Sequence, residues 1–169
     1  NFITNEFRFQ IHGGFMPQSI SGWMRDWWDE LWANFIINET PYVDLDMIGD
    51  WDHHADRQIF GGIRFRNLVY KGMNIERGYA RLRTRPFFFE LFDLHAYRPE
   101  GKATGSLGIL ADWDAREPSL NLYDFQSGFR FEKVLPLFGD SLAETLSVLA
   151  LSGPPQLDIA GKIYYPERK

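Results

Sequence analysis

The chain has 169 residues, a formal net charge of −5 and no cysteine. That length favours one domain with a real core, and the missing cysteines exclude disulfides and thiolate metal sites. The acidic balance argues against general affinity for nucleic acid or an anionic membrane, and no apolar run approaches the ~18–20 residues of a membrane-spanning helix.

The chain opens at Asn1 on strand-like sequence with no signal peptide ahead of it, and reads as a piece of a longer protein. Residues 1–11 alternate, with Phe7, Phe9 and Ile11 against Arg8 and Gln10, and stop at Gly13-Gly14: a strand and a break. The period then changes. Met24, Trp27, Trp28, Leu31, Trp32 and Phe35 recur at three- and four-residue spacing, which predicts an amphipathic helix over 21–35. Its charged residues sum to −2, the wrong sign for a membrane-surface helix, so a helix that plugs or flanks a sheet is the better reading.

From Tyr42 to Trp113 the chain is a series of alternating strands. Val43, Leu45 and Met47 face one way and Asp44 and Asp46 the other; Ile63 and Phe65 oppose Arg64 and Arg66 in the next strand. Folding these two about Ala55 predicts Asp46 opposite Arg64, Asp44 opposite Arg66, Met47 opposite Ile63 and Leu45 opposite Phe65, a register that cross-strand energetics favour. Residues 73–85 form a further strand, kinked at Gly78. A hairpin across Glu100-Gly101 then sets Ala96 opposite Gly105, Leu94 opposite Leu107, Phe92 opposite Ile109 and Phe88 opposite Trp113. Glu90 is out of place on that apolar face. Leu120 and Leu122 belong to another inward-facing strand, and one or two helices follow over 131–151, with Ser141 and Glu144 as a capping box. A last strand over 156–165 carries Leu157, Ile159 and Ile163 inward.

An internal echo links the two ends. Leu45-Asp-Met-Ile-Gly-Asp-Trp51 returns as Leu157-Asp-Ile-Ala-Gly-Lys-Ile163, each behind a helix and a proline-bearing loop, and each preceded by a strand ending in Gly-Phe. Repetition of this kind marks stacked architectures, so one segment with parts of two repeats, roughly 1–117 and 118–169, is expected.

Sites for chemistry are sparse. Asp50-Trp-Asp-His-His-Ala-Asp56 has metal-ligand residue types, but it sits at a hairpin turn, where aspartate is common for backbone reasons. His12 and His95 stand alone. Asp112 and Asp114 flank Trp113 as a carboxylate pair that looks solvated, and no nucleotide-binding or nucleophile-elbow motif occurs. Seven basic residues between Arg64 and Arg85 against Glu76 make a positive stripe. With Asp44 and Asp46 expected to neutralise two of them, a charged outer surface is a cheaper account than RNA binding.

The run Gly62-Ile-Arg-Phe-Arg-Asn-Leu-Val-Tyr-Lys-Gly72, then Ala103-Thr-Gly-Ser-Leu-Gly-Ile109, the helix at Ser141 and Leu157-Asp-Ile-Ala-Gly161 together resemble the AsmA-like family, the TamB-related repeating β-groove proteins of bacterial envelopes. The Trp-rich helix departs from the commonest pattern of that family. The resemblance implies a curled antiparallel sheet of about eight strands, open along one side, with flanking helices. It implies a periplasmic location, an inner-membrane anchor outside this sequence, further repeats of the same chain as neighbours, and phospholipid or another acyl-chain lipid as partner. No enzyme activity, cofactor or nucleic acid is expected. The lipid would lie against Val43, Leu45, Met47, Ile63, Phe65, Phe88, Phe92, Leu94, Leu107, Ile109, Trp113, Leu120, Leu122, Leu157, Ile159 and Ile163. The alternative is a structural or assembly module whose helices fill the groove and whose strand edges recruit partners.

Overall fold

In a computed structural model, residues 5–24, 26–110, 119–130 and 157–164 are described. They build a nine-stranded antiparallel sheet, curled and not closed into a barrel. The strands are β1 Glu6–Gly14, β2 Phe35–Ile37, β3 Tyr42–Asp50, β4 Gln58–Tyr70, β5 Met73–Arg85, β6 Phe88–Arg98, β7 Gly101–Leu110, β8 Ser119–Ser127 and β9 Leu157–Tyr164. Their order is β1-β3-β4-β5-β6-β7-β8-β9, with β2 lying against the far half of β4. β2 and β3 both run antiparallel to β4 along the same edge, so they act as one strand interrupted at 38–41. The short helices α1 Ser21–Met24 and α2 Asp26–Trp32 carry the chain across the sheet between β1 and β2.

The helix ends three residues before the spacing predicts. Asn34 turns back and donates from Nδ2 to the carbonyls of Glu30 (3.0 Å) and Leu31 (3.3 Å), consuming acceptors that the helix leaves open at its end. Phe35 therefore begins β2 and stacks on Tyr70, with ring centroids 4.6 Å apart.

Pairing of β3 with β4 is as expected, but the register is slid by four residues: Arg64 stands opposite Tyr42, Ile63 opposite Val43, and Met47 opposite Ile59. A slide by an even number leaves every side chain on its expected face, since strand periodicity is two. The cause is the connection, which closes around Asp50, whose Oδ1 accepts the backbone N–H groups of Asp52 (2.7 Å) and His53 (2.9 Å) ahead of a 3-10 turn at His54–Asp56.

The β6–β7 register is corrected more deeply. Leu94 meets Gly105 and Ala96 meets Ala103, but Leu91 meets Leu107 and Phe89 meets Ile109, because one extra residue is accommodated between Leu91 and Leu94. Asp93 takes the left-handed conformation there (φ 54°). The bulge puts Phe89 and Leu91 inward, and turns Phe88 and Phe92 outward, against the expectation for both. It also explains Glu90, which faces outward opposite Arg83 and pairs with it at 3.2 Å.

A left-handed Asx residue recurs on alternate strands. Asn67 (φ 47°) in β4, Asp93 in β6 and Asp124 (φ 46°) in β8 each sit in the pattern apolar, outward residue, Asx, apolar: Phe65-Arg66-Asn67-Leu68, Leu91-Phe92-Asp93-Leu94, Leu122-Tyr123-Asp124-Phe125. The register shifts at Asp93 and Asp124, whereas the β4–β5 register runs unbroken past Asn67. Asn and Asp tolerate the left-handed region better than other residues with a Cβ. Each irregularity bends its strand while returning an apolar side chain to the interior, and bends repeated across a sheet curl it.

Candidate functional site

The concave face is the apolar one. Val43, Leu45, Met47, Ile63, Leu94, Ile109, Leu120 and Leu122 are buried in one cluster with Ile59, Ala80, Leu82 and Phe89, and Leu107 packs against it. Phe65 belongs to a second buried cluster with Leu68, Met73, Ile75, Ala96, Ala103 and Phe129, which takes over along β4 beyond Ile63. Of the remaining lining residues expected from sequence, Phe88 and Phe92 are on the convex side. Trp113 lies outside the described residues, as do Asp112, Asp114 and the helices expected over 131–151. Leu157, Ile159 and Ile163 fall in β9, opposite Ser127, Phe125 and Leu120 respectively.

What covers the first cluster is the helix. Met24, Trp27, Trp28, Leu31 and Trp32 are all nine-tenths or more buried in it. Trp28 meets Trp27 and Trp32 edge-on, both at 5.5 Å, and Trp32 meets Phe89 the same way at 6.0 Å. The Trp28 indole donates to the carbonyl of Pro17 at 2.8 Å, so its one polar atom is satisfied inside. Three indoles occupy the hollow of the sheet where lipid tails were expected.

One end of the plug is pinned by Arg57, itself only 5% exposed. Its guanidinium donates to the carbonyls of Trp23 (2.5 Å) and Trp51 (3.0 Å) and lies over the Trp23 ring, 4.9 Å from its centroid. The β3–β4 connection and the start of the helix are thus tied by one buried cation, a group that the sequence reading passed over because nothing in its spacing marks it. Beside it a small, mostly apolar hollow of about 220 Å³ opens among Trp23, Met24, Trp27, Ala55 and Phe87.

The Asp/His turn is held by local bonds. His53 pairs with Asp50 at 3.2 Å, and Asp50 is lowered below the usual carboxylate range, first by the backbone N–H of Asp52. Among the described residues no group of three His, Cys, Asp or Glu comes close enough to hold a metal ion. His12 lies opposite Asp44 and contacts it at 3.1 Å; His95 approaches Asp93 at 3.3 Å.

The convex face holds what sequence reasoning missed. Asp46 accepts from Arg8 (3.0 and 3.2 Å) and Gln10 (3.1 Å) on β1, and those bonds lower its carboxyl, Arg8 contributing most. Asp44 is engaged by His12. Both acids therefore belong to the β1–β3 seam, and neither neutralises the arginines of β4. Reading across the strands, one row runs Tyr42, Arg64, Tyr79, His95 and Thr104, and the next Arg66, Arg77, Tyr97 and Lys102. Tyr79 stacks on His95 (4.6 Å, 11° between planes), and Arg77 lies over Tyr97 at 5.0 Å. Desolvation, then the charge of Asp93, push the Tyr79 hydroxyl up. The correct register was the signal needed to find these rows.

Compared with known proteins, the chain matches no family model, and no curated protein or solved structure is significantly similar to it.

Proposed function

We propose that this chain is a non-enzymatic structural module: a curled β-groove segment closed by its own tryptophan helix, with strand edges that extend the sheet by pairing with partners. The observation that carries the reading is the burial of Trp27, Trp28 and Trp32 against Val43, Leu45, Met47, Ile63, Leu94, Ile109, Leu120 and Leu122. An apolar sheet face must be covered by helix, sheet or ligand, and here a helix does it. The edges supply the other half. Among the described residues β1 pairs with β3 on one side only, and at that edge Phe9 and Trp51 remain 46% and 49% exposed, in contact with one another and with Phe7. A strand with unpaired backbone and an exposed aromatic rim is a template for β-augmentation. The setting the family resemblance implies, a bacterial periplasm with anchoring segments elsewhere, is consistent with a scaffold of this kind.

A second reading keeps the lipid. The inner face is continuously apolar from β3 to β8, and the hollow beside Trp27 and Phe87 offers an entry between helix and sheet, so a helix that lifts would expose a trough for acyl chains. Native mass spectrometry of the purified chain, with tryptophan quenching by brominated phospholipid, separates the two. The structural reading expects no co-purified phospholipid and no quenching of the buried indoles. A stoichiometric phospholipid adduct whose brominated form quenches them would replace it with the lipid-conducting one.

A further inference from the structure

The hollow on the convex face is a built surface of a different chemistry from the groove. It measures about 600 Å³ and lies between Glu39, Thr40 and Tyr42 at one wall and Tyr97 at the other, over β4 and β5. Arg64, Arg66 and Arg77 line it together with Tyr42, Tyr79 and Tyr97. Among the described residues none of the three arginines forms an ion pair; the acids of β3 are held by β1, and Arg83, further along β5, is the one matched to Glu90. Glu39 is the one acid at the rim, and it takes a hydrogen bond from the Asn67 amide. Tyr42 is 53% exposed, and Tyr79, backed on one side by His95, is 37% exposed.

We propose that this hollow binds a phosphorylated sugar. Neighbouring same-face residues on a strand stand about 6.6 Å apart and neighbouring strands about 4.8 Å apart. Arg66 and Arg77 stand directly opposite one another and Arg64 is one same-face step along β4, so all three are near enough to reach one phosphate group, where guanidinium forks give bidentate recognition. The tyrosines supply ring faces for the C–H face of a sugar, and the Glu39 carboxylate and Thr40 hydroxyl supply partners for its hydroxyls. The volume is that of a small-molecule site. A long polyanion fits less well: the positive patch is compact, the chain carries −5 overall, and Asp44, Asp46 and Asp93 line the adjoining hollow beyond Arg64. This site is independent of how the concave face is used.

Isothermal titration calorimetry with glucose 6-phosphate, inorganic phosphate, glucose and a short single-stranded oligonucleotide tests it. Glucose 6-phosphate is expected to bind one to one and at least about tenfold more tightly than phosphate or glucose alone. The double variant Arg64→Gln, Arg77→Gln should weaken that binding about tenfold or more at an unchanged thermal midpoint, Tyr42→Ala should weaken it too, and Arg83→Gln should leave it as it was. The same chemistry can sit on a lipid headgroup; vesicles of phosphatidylcholine with phosphatidylinositol 4-phosphate should then compete with glucose 6-phosphate. No binding at about 10 mM glucose 6-phosphate, binding no tighter than that of phosphate, tighter binding of the oligonucleotide, vesicle binding that glucose 6-phosphate does not displace, or equal loss in Arg83→Gln would each overturn the proposal.

Discussion

Asp46 shows how a single side chain sorts the charges of the convex face. Its Oδ1 collects Arg8 and Gln10, which hold its carboxyl below the ordinary value of 3.8. A carboxyl whose folded value is depressed stabilises the fold above its unfolded value and loses that contribution as pH falls through the folded one. Urea midpoints measured from pH 6 down to pH 2 should therefore drop below about pH 4, and Arg8→Ala should start lower at pH 6 yet drop less. Asp50, also depressed, keeps part of the acid sensitivity in the variant. An unchanged slope in Arg8→Ala would mean that the seam between β1 and β3 owes nothing to this pair. The pair is solvent-exposed, so its contribution is small and salt should screen it.

At the scale of the element, the three left-handed Asx positions decide where the strands bend. Asp124 is the cleanest to test, since it is exposed and the register of β8 shifts across it against both β7 and β9. Asp124→Val should cost roughly 1–2 kcal/mol in chemical denaturation, because a β-branched residue resists φ 46°, while Asp124→Gly should be close to neutral. Equal losses in both variants would assign the cost to the carboxylate and not to the backbone. These positions also explain which parts of the fold were legible in the sequence. Period-two alternation places Val43, Leu45, Met47 and Ile63 inward whatever the register, so the faces of β3 and β4 follow from it even though the pairs do not. Register depends on how the 50–58 connection closes, and Asp50 folding back on Asp52 and His53 carries no periodic signal. Phe88 and Phe92 were misplaced because a bulge breaks the alternation itself, and only the recurrence of apolar-x-Asx-apolar at Asn67, Asp93 and Asp124 announces it. Helical spacing of the tryptophans was plain, yet Asn34 ends the helix early by side-chain capping of carbonyls, which spacing cannot report.

Across the whole molecule the arrangement divides labour between two faces of one sheet. The concave side is covered where the tryptophan helix lies on it, and the convex side carries arginines that, among the described residues, a shifted register leaves without acids. Curl and plug meet in one cluster: Trp27, Trp28 and Trp32 of a seven-residue helix are buried with Val43, Leu45, Phe89 and Leu94 of the sheet. A helix this short is not stable alone and owes its form to that packing. Truncating Trp28, 3% exposed at the centre of the plug, should therefore cost about 3–5 kcal/mol, the range for removing a large aromatic from a core, and leave the carbonyl of Pro17 without its donor. Trp28→Phe keeps most of the volume and loses the hydrogen bond, so about 1 kcal/mol is expected. Urea unfolding followed by far-ultraviolet circular dichroism, which does not rely on the altered indole, measures both. If the helix instead spends its time lifted from the sheet, as a lipid conduit would require, both variants would unfold with the parent, and the groove would have to be redrawn as open.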